Sequence, residues 1–421
     1  MKEINSEEFR SEVLESGKVV LDFYSTECPP CEALASKFEH LAGLYGNDIK
    51  FYKIFRQGNR QLADELGVKS SPTLLFFENG KEVHNRLTGA IRKKDIISNL
   101  EKMIRPERAA EIRNLIKPAV SEYDVIVLGG GPGGLTAGLY LCQSKINTVL
   151  VDTGLPGGQV STTHEVSNYP GFIQPQAGYM LSHNMSEQTK QCGTVYKVAV
   201  DITKVDLHKK EVIIDEFETI KARKIVIATG TKPNSTGSSG EKELRGKGIS
   251  YCATCDAKYF DNKEVVVIGG GNSAVEESDL ISRFASKLTI VQQLDSFTAN
   301  RKAVDKLLTN EKVTAVYNSE PRSFRRENDK IFTEVENVRT GERTTLISDG
   351  VFIFIGMKPN IDLFNNGLEL DKWGYIVTNE DRQTNIPGVY AVGDVISKKY
   401  RQITTAVSDG TIAAMAIAKE L

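Results

Sequence analysis

The sequence runs to 421 residues, too long for one ordinary core and suited to two or three domains. Charged residues make up 26% and the net charge is -2, which argues against a nucleic-acid or anionic-membrane surface, because either needs a basic excess. Six cysteines are too few to staple a secreted scaffold, and four of them fall in two C-x-x-C pairs, a spacing that in a reducing compartment reads as catalytic or metal-binding.

The opening stretch Met1 to Arg10 has no apolar targeting segment, and no later apolar run is long enough to cross a bilayer. The expectation is a cytosolic protein with neither membrane nor nucleic acid among its partners. Val19 to Tyr24 is a short apolar run of strand type leading into Cys28-Pro29-Pro30-Cys31, with a helical pattern from Glu32 to Leu44. A strand feeding a C-x-x-C at a helix start sets the first sulfur over unpaired N–H groups, which favour a thiolate. Ser70 to Lys81 reads as a strand entered through Pro72 and left through an Asn79-Gly80 hairpin turn.

Asp22, the C-x-x-C, Ser71-Pro72-Thr73 and Asn79-Gly80, in that order, make residues 1–105 resemble thioredoxin. The resemblance implies Cys28 as nucleophile, Cys31 as resolving thiol, Asp22 as a buried carboxylate assisting proton transfer to Cys31, and Pro72 as a cis-proline beside the disulfide. Glu27 and Pro29-Pro30 stand where the family usually has Trp and Gly-Pro, and a carboxylate beside Cys28 opposes the thiolate. A narrower set of client disulfides is left open by that departure.

Residues 106–122 form a linker. Pro106 to Pro118 spaces Ile112, Leu115 and Ile116 as one helical face, either the closing helix of the first domain or a spacer to the second.

Tyr123 to Leu128 is a buried-strand run. Gly129, Gly131, Pro132 and Gly134 open the helix after it, and Asn147 to Asp152 is a second strand ending in an acid. Such glycines let a helix N-terminus approach a pyrophosphate, and Asp152 is placed to accept from an adenosine ribose. Together with Ile225 to Gly230 and Gly388 to Val395, this pattern resembles the FAD-binding strands of two-dinucleotide-domain flavoproteins. The resemblance implies a cofactor shell that includes Gly158, Gln159, Asn168, Ala228, Thr229, Gly230, Gly393, Asp394, Arg401, Gln402 and Ile403. Asp394 would meet the ribityl or diphosphate, and Gln402 would lie close to the flavin. Cys142 and Cys192 read as buried apolar fillers, and Trp373 as packing.

A second α/β unit follows, with Cys252-Ala253-Thr254-Cys255-Asp256, the strand Glu264 to Ile268, and a second glycine loop carrying Gly269, Gly271, Asn272, Ser273 and Ala274. A nucleotide domain inserted in an FAD domain, with C-x-x-C on the insert, resembles the low-molecular-weight thioredoxin reductases from Tyr123 to the end. Carried over by position, Cys255 faces the flavin, Cys252 attacks the acceptor disulfide and Asp256 is the general acid/base. In that family the insert rotates, and residues 235–240, Gly248 and Gly350 are the expected hinges. No metal site is expected, since the two cysteine pairs belong to different units.

The family reads NADPH with His-Arg-Arg after the insert's second strand, where this chain has Gln292-Gln293-Leu294. Glutamines cannot supply the charge-assisted donors that a 2′-phosphate needs. NADPH, with Arg301 and Lys302 compensating if the loop folds back, NADH, or a ferredoxin-type protein donor all stay open.

The fold expected is α/β: a thioredoxin fold on 1–105, the linker on 106–122, an FAD domain split over 123–236 and 351–421, and an NAD(P)-type insert on 237–350. The expected function is an FAD-dependent thioredoxin-disulfide reductase fused to its thioredoxin. Electrons pass from donor to FAD, to Cys252/Cys255, to Cys28/Cys31, to a client disulfide, in a homodimer. The alternatives are a flavoprotein serving a peroxiredoxin and a flavin-binding regulatory protein without a donor.

Overall fold

The structure, a computed structural model, describes every residue except His164, Asn365, Asn366 and the side chain of Cys255. The first domain is one sheet of β1 (Lys2–Glu3), β2 (Lys18–Tyr24), β3 (Lys50–Phe55), β4 (Thr73–Glu78) and β5 (Lys81–Thr88), in the order β1-β3-β2-β4-β5. The central strand β2 is buried from Val19 to Phe23 and carries side chains into an apolar layer on each face. Four helices cover the sheet: α1 (Pro29–Tyr45), α2 (Arg60–Glu65), α3 (Lys93–Lys102) and α4 (Pro106–Leu115). α1 starts before the expected Glu32, because a proline at a first helical position gives up an N–H that would be unpaired anyway.

The predicted linker resolves into the closing helix of this domain. Ile112 of α4 is fully buried with Phe38, Leu41 and Leu100, and Arg108 and Arg113 pair with Asp48 and Glu101. Leu115, expected on the same face, is 61% exposed because the helix ends there. Only Ile116, Lys117 and Pro118 separate α4 from the next strand, which begins at Ala119 instead of Tyr123.

The second domain holds β6 (Ala119–Leu128), β7 (Thr148–Asp152), β8 (Val195–Val198), β9 (Ile202–Asp206), β10 (Glu211–Ile214) and β11 (Glu218–Ile227), with α5 (Pro132–Gln143) and α6 (Gly178–Cys192). Their order is β8-β7-β6-β11-β10-β9. After the short strand β12 (Thr231–Pro233) comes the insert. It contains α7 (Glu241–Leu244), β13 (Ile249–Ser250), α8 (Ala253–Asp256), β14 (Glu264–Ile268), α9 (Asn272–Ser282), β15 (Lys287–Val291), α10 (Arg301–Leu308), β16 (Val313–Val316), β17 (Ser319–Glu327), β18 (Lys330–Asn337), β19 (Arg343–Ser348) and β20 (Gly350–Ile353). Strands β13-β20-β14-β15-β16 form a parallel sheet, and β17-β18-β19 an antiparallel one. The chain returns through β21 (Met357–Pro359), antiparallel to β12, then β22 (Val389–Ala391), parallel to β11, and ends in α11 (Ile403–Glu420).

The insert therefore reaches past the expected boundary at Gly350, since β20 is a central strand of its sheet. Gly350 is no hinge: a Cβ there would come within 2.1 Å of Phe260. Residues 235–240 are not loose either. Glu241, 2% exposed, accepts from Ser235, Thr236 and Tyr251, and Ser239 bridges to Ser323. The two crossings between domain and insert run side by side in the β12·β21 ribbon, where Asn234 bonds to the Gly356 carbonyl. Among the described residues no helix is long and apolar enough to cross a membrane.

Candidate redox and cofactor sites

Cys28 caps α1 from an extended conformation, and its sulfur accepts from the Cys31 amide at 3.3 Å. The two cysteines are joined in a disulfide with their Cα atoms 5.2 Å apart. The Ser71 carbonyl lies 3.6 Å from Cys28 Sγ, and Ser71–Pro72 is cis, so that step borders the disulfide. Asp22, on the central strand, is 6% exposed, and its Oδ1 has no hydrogen-bond partner among the described residues. Burial raises its carboxyl to about 7, against the pull of Lys53. A group titrating there can hold a proton at neutral pH and release it to a leaving thiolate.

The second pair opens α8. Cys252 stands at its N-cap position in an extended conformation, is disulfide-bonded, and donates its amide to Ser250 Oγ at 3.1 Å. The same hydroxyl donates to Asp256 Oδ2 at 2.5 Å, so Ser250 ties the expected acid/base to the backbone of the expected nucleophile. Sequence reading missed Ser250, which only its strand-end position before the motif hints at. The orientation expected of Cys255 lies outside the described residues. Lys258, just after α8, pairs with Glu165 of the second domain at 2.8 Å, which ties the segment following the pair to that domain.

The residues expected around the flavin nucleotide gather at one end of the second sheet. A Cβ on Gly129 (φ 109°) would meet the Ala228 carbonyl at 2.4 Å, whereas one on Gly131 would meet nothing within 4 Å. The amino end of α5 is thus approached closely by β11 and left open on its outer side, as a pyrophosphate requires. Gly158 closes on Gly131 (3.1 Å for a Cβ), and Gln159 Nε2 donates to the Thr231 carbonyl at 2.8 Å. Asp152 is half-buried, and its desolvation raises its carboxyl, while the amides of Gly154 and Gly130 oppose the shift. Thr229 and Asn360 exchange two hydrogen bonds beside Gly230.

Gly393 lies over the start of α5, 3.5 Å from a Cβ on Gly133. Asp394 Oδ1 is buried without a hydrogen-bond partner among the described residues, with Lys398 Nζ 3.6 Å away, and burial raises its carboxyl. An orphaned carboxylate oxygen at this point fits a hydroxyl-bearing cofactor, and Asn168 and Gln402 (3.4 Å apart) complete the rim with Arg401 and Ile403. Asp409 was not anticipated. This acid on the buried face of α11, 3% exposed, receives Arg382 and Lys398, both at 2.8 Å, and the Gly393 amide at 3.2 Å. It holds the Gly393-Asp394 turn in place. The signal was an Asp among alanines in an otherwise apolar helix face.

The second glycine loop is packed differently. Gln292 is 6% exposed, and a Cβ on Gly270 would come within 2.3 Å of its amide. Gln292 Nε2 donates to the Ser296 carbonyl at 2.9 Å and Gln293 Nε2 to Glu320 at 2.9 Å. The following loop folds back, with the Thr298 amide on the Gly270 carbonyl and the Asn300 amide on Asn272 Oδ1. Ala274 is buried beneath the loop beside Gly269, and Ser273 and Gly271 stand at the start of α9. Arg301 does not fold back; it points to solvent and pairs with Asp305 on its own helix.

The first domain is seated on the edge of the second. Lys37 of α1 donates to the carbonyls of Val198 (2.9 Å) and Ala199 (2.6 Å), Lys94 pairs with Asp201 at 2.5 Å, and Glu32 pairs with Lys190 at 2.5 Å. Burial lowers the Lys37 ammonium to about 8, with Asp215 opposing. Two smaller expectations fail. Trp373 is 68% exposed with Lys372 over its ring, and Cys142 and Cys192 are half-exposed instead of buried.

Comparison with known proteins matches residues 123–410 to a family described as pyridine nucleotide-disulphide oxidoreductase and residues 1–102 to thioredoxin. A thioredoxin reductase of Bacillus subtilis is 41% identical over 297 residues, 70% of this chain and 93% of that protein. A 34.2 kDa protein in the rubredoxin operon of Clostridium pasteurianum is 41% identical over 295 residues, 70% of this chain and 96% of that one. The solved thioredoxin reductase from Streptococcus pyogenes aligns with a TM-score of 0.65 at 34% identity, covering 71% of this chain and 97% of that one. Such reductases use FAD and NADPH, and the residues around Gly131, Asp152 and Asp394 fit the flavin nucleotide. The chain belongs to the pyridine nucleotide-disulphide oxidoreductase family, as a flavoprotein of thioredoxin reductase type with a thioredoxin domain at its amino end.

Proposed function

We propose that this chain is a self-contained thioredoxin-disulfide reductase, in which the Cys252/Cys255 pair reduces the Cys28–Cys31 disulfide of its own or a partner copy's first domain. The observation that carries the reading is the closed disulfide Cys28–Cys31 on a thioredoxin domain covalently joined to the reductase. Bound FAD supplies the electron pair that opens the disulfide of Cys252. The Cys252 thiolate then attacks Cys28, and Cys31 leaves as a thiolate that takes a proton from Asp22, whose carboxyl titrates near 7. Cys255 displaces Cys28 by attack on Cys252, a role that rests on the family resemblance, and Asp256 serves as acid/base. The reduced first domain passes its electrons to a client disulfide. The division into 1–105, 106–122, 123–236, 237–350 and 351–421, shifted as β20 and α4 require, a cytosolic location and a homodimer belong to the same reading.

The electron donor is one that does not rely on a 2′-phosphate. Gln292 and Gln293 are committed to Ser296 and Glu320, and the nearby Arg339 and Arg322 are paired with Asp295 and Glu320. Anaerobic titration of the flavin absorbance with NADPH and then NADH tests this. Bleaching by both to a similar degree, or by neither while a ferredoxin-type protein succeeds, is expected. Bleaching by NADPH at a concentration where NADH does nothing would overturn it.

A further inference from the structure

Two cysteines play no part in the relay, and the fold brings them together. Cys142 is in the last turn of α5 and Cys192 is the last residue of α6, 50 residues apart in sequence. Cys142 Sγ lies 2.6 Å from the Cys192 carbonyl, and Cys192 Sγ lies 3.8 Å from the Leu139 carbonyl. Each thiol is thus at the other's helix, and both are partly open to solvent. Gly193 follows in the left-handed region (φ 113°), and a Cβ there would stand 3.3 Å from Cys142 Sγ, so the glycine leaves room for that sulfur. The two helix ends are fixed to each other by hydroxyls: Thr189 donates to the Leu135 carbonyl and Thr194 to the Gly138 carbonyl, both at 3.0 Å. The two thiols therefore lie on neighbouring helix ends that these hydroxyl bonds hold together.

We propose that Cys142 and Cys192 are a third redox couple of the chain, a dithiol that closes to a disulfide across the ends of α5 and α6 when met by a small disulfide oxidant. In the closure one thiolate attacks a sulfur of the small disulfide, forming a mixed disulfide and expelling one small thiolate. The other cysteine, as thiolate, then attacks the protein sulfur of that mixed disulfide and expels the second. Two electrons pass from the cysteines to the oxidant, and the two protons they give up end on the released thiols. Burial and the hydrogen bond from its neighbour hold the Cys142 thiol above its ordinary range, so the couple rests as a dithiol and closes faster as pH rises. Its position gives the closure something to act on. Lys190, two residues before Cys192, holds Glu32, the residue after Cys31, so the couple lies next to one anchor of the thioredoxin domain.

The full-length protein, reduced completely and freed of reductant, is incubated with oxidised glutathione, then unfolded and alkylated. All six cysteines are alkylated before oxidation. After it, the expected result is that none is, with a peptide linking Cys142 to Cys192 in the digest. Retention of two alkylated cysteines, at 142 and 192, once both C-x-x-C pairs are closed would overturn the proposal, as would separate glutathione adducts on the two. In Cys142→Ala the linked peptide should vanish and Cys192 alone stay alkylatable or carry glutathione; a Cys192 that instead disappears into a bond with another cysteine would count against the pairing.

Discussion

Replacing Asp22 with Asn should make the first domain less sensitive to pH, by an amount that follows from burial. The carboxyl titrates near 7 in the fold and from 3.8 when unfolded and hydrated. Because the folded value is the higher one, the native state binds the proton more tightly. The stability it contributes is complete below about pH 4 and is lost as pH rises through 7. With about 1.4 kcal/mol per unit of displacement, most of it expressed between pH 5 and 8, the wild-type domain should lose about 3 kcal/mol over that span. Asn has no charge to bury, so the variant should lose almost none of it, whatever fixed cost the amide adds. A chain with several domains does not unfold in one step, so the assay is local: amide hydrogen exchange of the peptide covering β2, corrected for intrinsic rate, at pH 5 and pH 8 with the disulfide kept closed. Parallel losses of protection in wild type and Asp22→Asn would refute the assignment of this carboxyl as a buried proton store.

Other consequences are as direct. Asp409→Asn should weaken flavin retention, because Lys398 and Arg382 lose their shared anchor and the Gly393-Asp394 turn its clamp. A loss of about 2 kcal/mol, roughly thirtyfold in flavin dissociation constant, is expected for breaking a buried charge-assisted pair, read by fluorescence of released flavin. Gln293→Arg should tilt the donor site toward NADPH over NADH by about tenfold in the rate of flavin bleaching, the worth of one charge-assisted bond to a 2′-phosphate. Lys37→Met should loosen the first domain on its seat, since the methionine cannot bond the Val198 and Ala199 carbonyls while the Lys94–Asp201 and Glu32–Lys190 pairs remain; small-angle scattering should show a slightly larger radius of gyration than wild type, and a larger one still when Lys94→Met is added.

Much of this organisation can be read from the chain because each unit opens with a strand that runs into chemistry-bearing residues. Both C-x-x-C motifs and both glycine loops sit where a strand hands over to a helix, and that junction is written in contiguous residues. What was not legible depends on segments far apart. Asp409 gains its meaning from Arg382, Lys398 and Gly393, which only the return of α11 over α5 brings together. Cys142 and Cys192 looked like fillers because nothing local shows that two helices end side by side. The stretch at 235–240 reads as a flexible hinge from its serines and glycines, yet one buried acid, Glu241, gathers its hydroxyls. The linker was left between two readings by its bounding prolines, and the burial of Ala109 and Ile112 decides for the closing helix of the first domain.

The claim that most needs testing is that Cys252 hands electrons to Cys28. In the double variant Cys31→Ser, Cys255→Ser neither resolving thiol remains, so a thiolate at one site that reaches the other can go no further. Mild oxidation of this protein, followed by alkylation and peptide mapping, is predicted to yield a disulfide-linked pair containing Cys28 and Cys252, within one chain or between two. Recovery of both cysteines alkylated, or bonded only to small thiols, would contradict the account.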